Sequence, residues 1–247
     1  MSTRPDRWWG RPLAESRWAL ELARLSVDPV LLGRGVVHGD GRPVVLMPGF
    51  LAGDSTLLML AAWLRRIGHR PYGCGFVANV DCSDRALERV DRRVEELHHR
   101  HGRRVALVGH SRGGHFARAL AHRRPDRVSH AVSLGADLQR MFGISVPTQA
   151  AVIAVRRGVT TLRRGRTDHC LTPDCTCSFV RDFAAPLPTD RVRFTSVYSK
   201  GDGVVHWPGS VLAGADNVEV TGSHVGLIFN RKAYRAIADA LALPEIT

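Results

Sequence analysis

VALVGHSRGG, Val105–Gly114, is the stretch on which the fold turns. Val105 to His110 is a short run rich in β-branched and apolar residues, of the kind that forms a strand buried on both faces. Phe116, Ala117, Leu120 and Ala121 follow at helical spacing, so Ser111 stands at a strand-to-helix turn. Gly109-His110-Ser111-Arg112-Gly113 matches the pattern GxSxG in the setting that gives this pattern its meaning. A sharp turn there places Ser111 in strained backbone space, and Gly109 and Gly113 remove side chains that would collide. The helix that follows directs its positive end at developing negative charge. An inert serine in a glycine-rich turn is the plain alternative.

The same rhythm extends outward in both directions. Upstream, VVLM (Val44 to Met47) predicts a buried strand that ends in Pro48-Gly49-Phe50. Asp54 or Ser55 is placed to cap a helix running from Leu57 to Ile67, and a short strand is expected near Pro71 to Val77. Ser83 is placed to cap a charged helix from Asp84 to about His101, whose Leu87, Val90, Val94 and Leu97 form one apolar stripe. Downstream, Val128 to Gly135 continues the alternation, which breaks between Asp137 and Leu187 around a helix expected from Thr148 to Leu162. Strand signals resume at Val192 to Ser199 and Asp216 to Thr221, and a last helix is expected from Arg231 to Leu241. Leu13, Trp18, Leu22 and Leu25 predict an amphipathic N-terminal helix acting as a structural brace. Strand alternating with helix in this way predicts an α/β fold with a mostly parallel central sheet covered by helices on both faces. At 247 residues the chain suits one domain, 1–247, carrying an insertion.

The formal net charge of +12 comes almost wholly from arginine, because Lys200 and Lys232 are the only lysines. Long-range attraction of anions follows from such a surface, but no zinc-finger spacing or aromatic RNA-binding signature accompanies it, so no nucleic-acid partner is expected. Arg11, Glu15, Arg17, Glu21 and Arg24 break any apolar signal-peptide centre, and no apolar run reaches the roughly 20 residues of a membrane helix. A cytoplasmic protein is the expectation. Cys170, Cys175 and Cys177 lack paired CxxC spacing, so free thiols or one loop disulfide are expected before a metal.

A serine hydroxyl is a weak nucleophile until a base takes its proton. His224, in Gly222-Ser223-His224-Val225-Gly226 just past the last strand, is the candidate base. His69, His98, His99, His101 and His122 lie at helix ends or on charged faces, and His110 is inside the elbow. Asp202, in Lys200-Gly201-Asp202-Gly203 at the carboxyl end of a strand, is the candidate to orient that base, with Asp137 as its rival. Backbone N–H groups of Phe50 and Arg112 are the candidate oxyanion donors, the Arg112 side chain being expected to do no more than face solvent. The chemistry needs no cofactor and no metal.

VVLMPGF, VALVGHSRGG, VYSKGDGVV and VTGSHVGLI together resemble the α/β-hydrolase superfamily, most nearly its compact bacterial lipases and esterases. The resemblance runs from residue 44 to residue 228 and implies the triad Ser111, Asp202 and His224, with Phe50 and Arg112 at the oxyanion hole. The first oxyanion segment departs from the common His-Gly pattern, having Pro48-Gly49. In that superfamily an insertion after the sixth strand acts as a cap or lid, which here is residues 139–188. Val152, Ile153, Val155, Val159 and Leu162 are candidates to line an acyl pocket, and Arg156, Arg157, Arg163 and Arg164 to meet an anionic membrane interface. A helix packed on the body with solvated arginines is the alternative. The implied activity is cleavage of carboxylic esters, lipid-like or medium-chain, through an acyl-enzyme. An acyltransferase with the same triad and a non-catalytic binding protein of the same fold are the rival readings.

Overall fold

In the computed structural model, which describes residues 8–162 and 177–246, six strands form one sheet in the order β2-β1-β3-β4-β5-β6, and every neighbouring pair is parallel. The strands are β1 (Pro43–Met47), β2 (Arg70–Tyr72), β3 (Val105–His110), β4 (Val128–Leu134), β5 (Arg193–Ser199) and β6 (Asp216–Val220). The helices are α1 (Trp18–Ser26), α2 (Leu58–Arg66), α3 (Ser83–His101), α4 (Arg112–Arg123), α5 (Val146–Leu162), α6 (Ser178–Ala184) and α7 (Arg231–Ala242). Every residue of β1, β3 and β4 is buried, which is why these segments read as continuous apolar runs and not as alternating ones.

Two apolar layers account for that burial. Leu25 of α1, Leu60 and Trp63 of α2, and Tyr234 and Ile237 of α7 cover one face with Val44, Val108 and Val132 beneath them. Leu87 and Val94 of α3, Phe116 and Leu120 of α4, and Phe179 and Phe183 of α6 cover the other. The stripe expected on α3 is buried throughout, and its charges face outward. Between β4 and β5 the chain forms α5 and α6, and α6 joins the core through Phe179 and Phe183, 2% and 4% exposed. No helix among the described residues is long and apolar enough to cross a membrane.

Three local expectations are corrected. The strand sought near Pro71 to Val77 stops at Tyr72, because the Asp54 carboxylate accepts from the Gly75 N–H at 2.7 Å and the Asp54 N–H donates to the Phe76 carbonyl at 2.8 Å, drawing the chain off the sheet. Asp54 is thereby spent on a loop. Its helix starts through a 3-10 turn, Asp54–Leu57, with Gly53 at the N-cap and no side-chain cap. Ser83 lies inside α3 rather than capping it, the N-cap being Cys82.

Candidate active site

All the sheet's carboxyl ends point the same way, so the segments after β1, β3, β4, β5 and β6 converge on one edge. Ser111 leaves β3 there with φ 52° and ψ −119°, a conformation that non-glycine residues rarely adopt and that costs on the order of 1–3 kcal/mol. The surroundings impose it: the Ser111 N–H donates to the Leu134 carbonyl at 2.8 Å, and its carbonyl accepts from the Gly114 N–H at 2.8 Å. Gly109 and Gly113 let the backbones close around the elbow, since a Cβ on either would lie under 3.0 Å from backbone atoms of Gly113 or Met47.

Beyond β5 and β6 the structure brings Asp202 and His224 together. Asp202 Oδ2 accepts from His224 Nδ1 at 2.8 Å, while Oδ1 accepts from the Val204 and Val205 N–H groups at 2.8 and 2.7 Å. The backbone amides thus fix one carboxylate oxygen and leave the other to the imidazole. Burial by itself would pull the His224 pKa down, but the charge and hydrogen bond of Asp202, with a further contribution from Glu15, outweigh it and hold the pKa above its ordinary 6.5. His110, the residue before Ser111, has its ring centroid 4.9 Å from that of His224, and its Nε2 donates to the His224 carbonyl at 3.0 Å. Burial, then the neighbouring His224, pushes His110 down to about 3, so it stays neutral and adds no competing positive charge.

Asp137, the rival carboxylate, is fully buried elsewhere in the same edge. Its Oδ1 accepts from the Gln139 and Arg140 N–H groups at 2.9 and 2.7 Å, so it closes the turn that leaves β4. Burial raises its pKa.

Phe50 lies in the loop after β1, and its N–H donates to no protein acceptor among the described residues. Asn79, completely buried, holds that loop from three points. Its side-chain amide donates to the Pro48 carbonyl at 2.8 Å, its carbonyl accepts from Leu51 N–H at 3.3 Å, and its N–H donates to Ala52 at 2.9 Å. Leu51 sits at φ 63°, a strained value for a bulky residue, next to the candidate donor.

The expectation that the Arg112 side chain faces solvent is overturned: it is 7% exposed. Its guanidinium donates to the carbonyl and Oδ1 of Asn79 at 2.9 and 3.0 Å, to the Asp81 carbonyl at 2.6 Å and to Ser83 Oγ at 3.2 Å. These carbonyls lie in an irregular segment between β2 and α3, and a planar five-donor group meets several acceptors at once. Arg112→Met should therefore lower stability by about 2–3 kcal/mol, the scale of buried charge-assisted hydrogen bonds lost together with their acceptors' pairing. Urea unfolding measures it, and an unchanged midpoint would show the guanidinium to be dispensable.

A cleft of about 70 Å³ opens beside Ser111, walled largely by Phe50, Met141, Phe142, Ile144, Val152 and Phe179. His115 is also in the wall; burial, then the nearby Arg112, pushes it down to about 3, so it is a neutral wall group. Of the side chains expected to line an acyl pocket, Val152 does so, whereas Ile153 is 46% exposed. The side chains of Arg156, Val159 and Leu162, and the whole of Arg163, Arg164, Cys170 and Cys175, lie outside the described residues. Sequence reasoning missed Asn79, Glu15 and Glu21 as neighbours of the site, since none stands in a motif.

A family model described as the alpha/beta hydrolase fold matches residues 77–168, which include the Ser111 elbow. Among solved structures the chain is similar to a monoacylglycerol lipase from Paleococcus ferrophilus, at 17% identity over 83% of this chain and 96% of that one, with a TM-score of 0.56. It is also similar to a lipase from Bacillus licheniformis, at 17% identity over 85% and 97% of the two chains with a TM-score of 0.59. A carboxylesterase from Bacillus subtilis aligns over 93% of this chain and 99% of its own at 12% identity, with a TM-score of 0.54. At such identities the likeness speaks to the fold, and function has to be argued from the site.

Proposed function

We propose that this chain, which has the α/β-hydrolase fold, is a serine hydrolase that cleaves carboxylic esters of lipid-like or medium-chain acids through an acyl-enzyme. The observation that carries the reading is a strained serine at a strand-to-helix elbow, with a buried Asp202–His224 pair against the neighbouring His110. Glycine-rich turns with inert serines have no need of an aligned imidazole and carboxylate on the adjoining loops.

In this reading Ser111 Oγ attacks the ester carbonyl carbon while His224 Nε2 takes its proton, and the carbonyl π electrons move onto oxygen. Phe50 and Arg112 N–H groups stabilise that oxyanion, the latter from the first turn of α4, where helix geometry leaves N–H groups without intrahelical acceptors. Collapse expels the alcohol, protonated by His224, and leaves the acyl group on Ser111. Water, deprotonated by His224, then repeats the sequence and releases the acid. Asp202 keeps the Nδ1–H tautomer and stabilises the imidazolium in both halves. The apolar cleft walled by Phe142, Ile144 and Val152 takes the acyl chain, with residues 139–188 as the cap and α5 as its part over the cleft.

Turnover of p-nitrophenyl esters from acetate to palmitate tests the reading and places the chain-length optimum. A folded wild type inactive at every length and unlabelled by a fluorophosphonate would reject it. An added alcohol acceptor distinguishes hydrolysis from acyl transfer by the product formed.

The pH dependence follows from His224, which must be neutral to act as base. Because its folded pKa is raised, kcat/KM should rise with pH through a midpoint above the ordinary 6.5. Asp202→Asn should move that midpoint down as well as slow the reaction. The linked stability runs the other way: protonated His224 stabilises the fold below its unfolded pKa, and that contribution is lost as pH rises through the folded value. A midpoint below 6.5 in the wild type would contradict the Asp202–His224 coupling.

A further inference from the structure

The N-terminal segment does more than pack on the body. Glu15, in the 3-10 turn Pro12–Arg17, reaches both loops that carry the Asp202–His224 pair. Its Oε1 accepts from the Gly203 N–H at 2.9 Å, next to Asp202, and from the His224 N–H at 3.0 Å; its Oε2 accepts from the Val225 N–H at 2.9 Å. One carboxylate thus receives three backbone donors from two different loops. Two further contacts reinforce the arrangement. Glu21 of α1 accepts from the N–H and Oγ of Ser223, both at 2.8 Å, and Arg17 donates to the Gly201 carbonyl at 2.9 Å.

The segment is itself anchored independently of these contacts. Leu25 of α1 is fully buried in the core, and Trp18 lies against Phe229 with ring centroids 6.3 Å apart. A fixed helix therefore delivers a fixed carboxylate to the junction of the two loops. The loops end adjacent parallel strands, β5 and β6, whose sheet hydrogen bonds stop at Ser199 and Val220. Beyond those points the separation of Asp202 from His224 depends on contacts between the loops: Ser199 Oγ, which accepts from the Gly201 and Gly222 N–H groups and donates to the Gly222 carbonyl, ties their bases, and Glu15 ties them beside the acid and the base themselves.

We infer that Glu15 is a positioning residue for the proposed reaction: it sets the acid loop against the base loop, so that the N-terminal segment belongs to the catalytic apparatus. The inference rests on the ester-hydrolase reading. The groups facing His224 are Asp202 from the loop after β5, His110 from the elbow and Glu15 from the N-terminal segment, and Glu15 and Asp202 act on its charge in the same direction.

The test compares wild type with Glu15→Ala, Glu15→Asp and Glu15→Gln in p-nitrophenyl butyrate turnover, fluorophosphonate labelling of Ser111 and NMR titration of His224, at matched thermal unfolding. Glu15→Ala should lower kcat about tenfold to hundredfold with KM within about twofold, because small misplacements of a reacting group act on the chemical step. Glu15→Asp should recover part of the loss. Glu15→Gln keeps the shape but not the charge, so the His224 titration and the acid limb of kcat/KM should both move to lower pH. If Glu15→Ala does not fold, Glu15→Gln decides: wild-type kcat with an unmoved His224 titration overturns the inference. Losses that vanish when corrected for folded fraction, with no shift in titration, also overturn it. An unlabelled, inactive wild type would instead reject the ester reading and the inference with it, whereas an active wild type with indifferent Glu15 variants rejects the inference alone.

Discussion

Ser111→Ala should lower kcat/KM for p-nitrophenyl esters on the order of 10⁴- to 10⁶-fold, the loss expected when the nucleophile of a serine hydrolase is removed and only binding and oxyanion stabilisation remain. The substitution deletes one oxygen at a half-buried position and leaves the Asp202–His224 pair in place, so the fold should be retained. Alanine also inherits the φ of 52°, which Ser111 already bears as strain, and the backbone requirement is the same for both. Asp202→Asn should cost about 10⁴-fold, because an amide that presents its N–H to Nδ1 favours the wrong tautomer. The double variant should be no worse than Ser111→Ala alone, since the two residues act as a unit. Wild-type turnover in folded Ser111→Ala would remove this serine from the mechanism altogether.

Gly113→Ala should be severely damaging to the fold. A Cβ at Gly113 would lie under 3.0 Å from the Met47 carbonyl oxygen and carbon, which are backbone atoms at the end of a central strand. They cannot swing aside as a flexible side chain would. Either α4 lifts from β1, opening the layer that buries Phe116, Ala117 and Leu120, or β1 shifts and carries the Phe50 loop with it. A loss of about 3 kcal/mol or more is expected, a large part of the roughly 5–15 kcal/mol that stabilises a domain. Gly158→Ala supplies the contrast, because nothing among the described residues lies within 4 Å of a Cβ there and α5 should gain up to about 1 kcal/mol of helix propensity. Urea midpoints of the two variants would separate a steric requirement from a general intolerance of alanine.

The acid and base partners illustrate where sequence reading ends. Asp137 and Asp202 both follow strands at the carboxyl edge of the sheet, and spacing alone ranks them only by their glycine neighbours. Three-dimensional placement separates them: the Val204 and Val205 amides orient the Asp202 carboxylate towards His224, while the Gln139 and Arg140 amides hold Asp137 in its own turn. Arg112 shows the same limit in another form. A charged residue at the start of a helix reads as solvated, yet here the carbonyls of Asn79 and Asp81 receive the guanidinium inside the fold.

What the sequence by itself determined is the order of strands and helices, the two-sided burial of the central strands, and the serine elbow. Each is written in neighbouring residues, through periodicity, β-branched runs and the small residues a tight turn requires. What only the tertiary structure decided is which carboxylate meets His224, how Asn79 and Arg112 hold the Phe50 loop, and that Glu15 joins loops about 190 to 210 positions away. Those contacts are single side chains meeting backbone amides across the fold. Such a meeting depends on how distant segments are juxtaposed and leaves no period or motif in the chain.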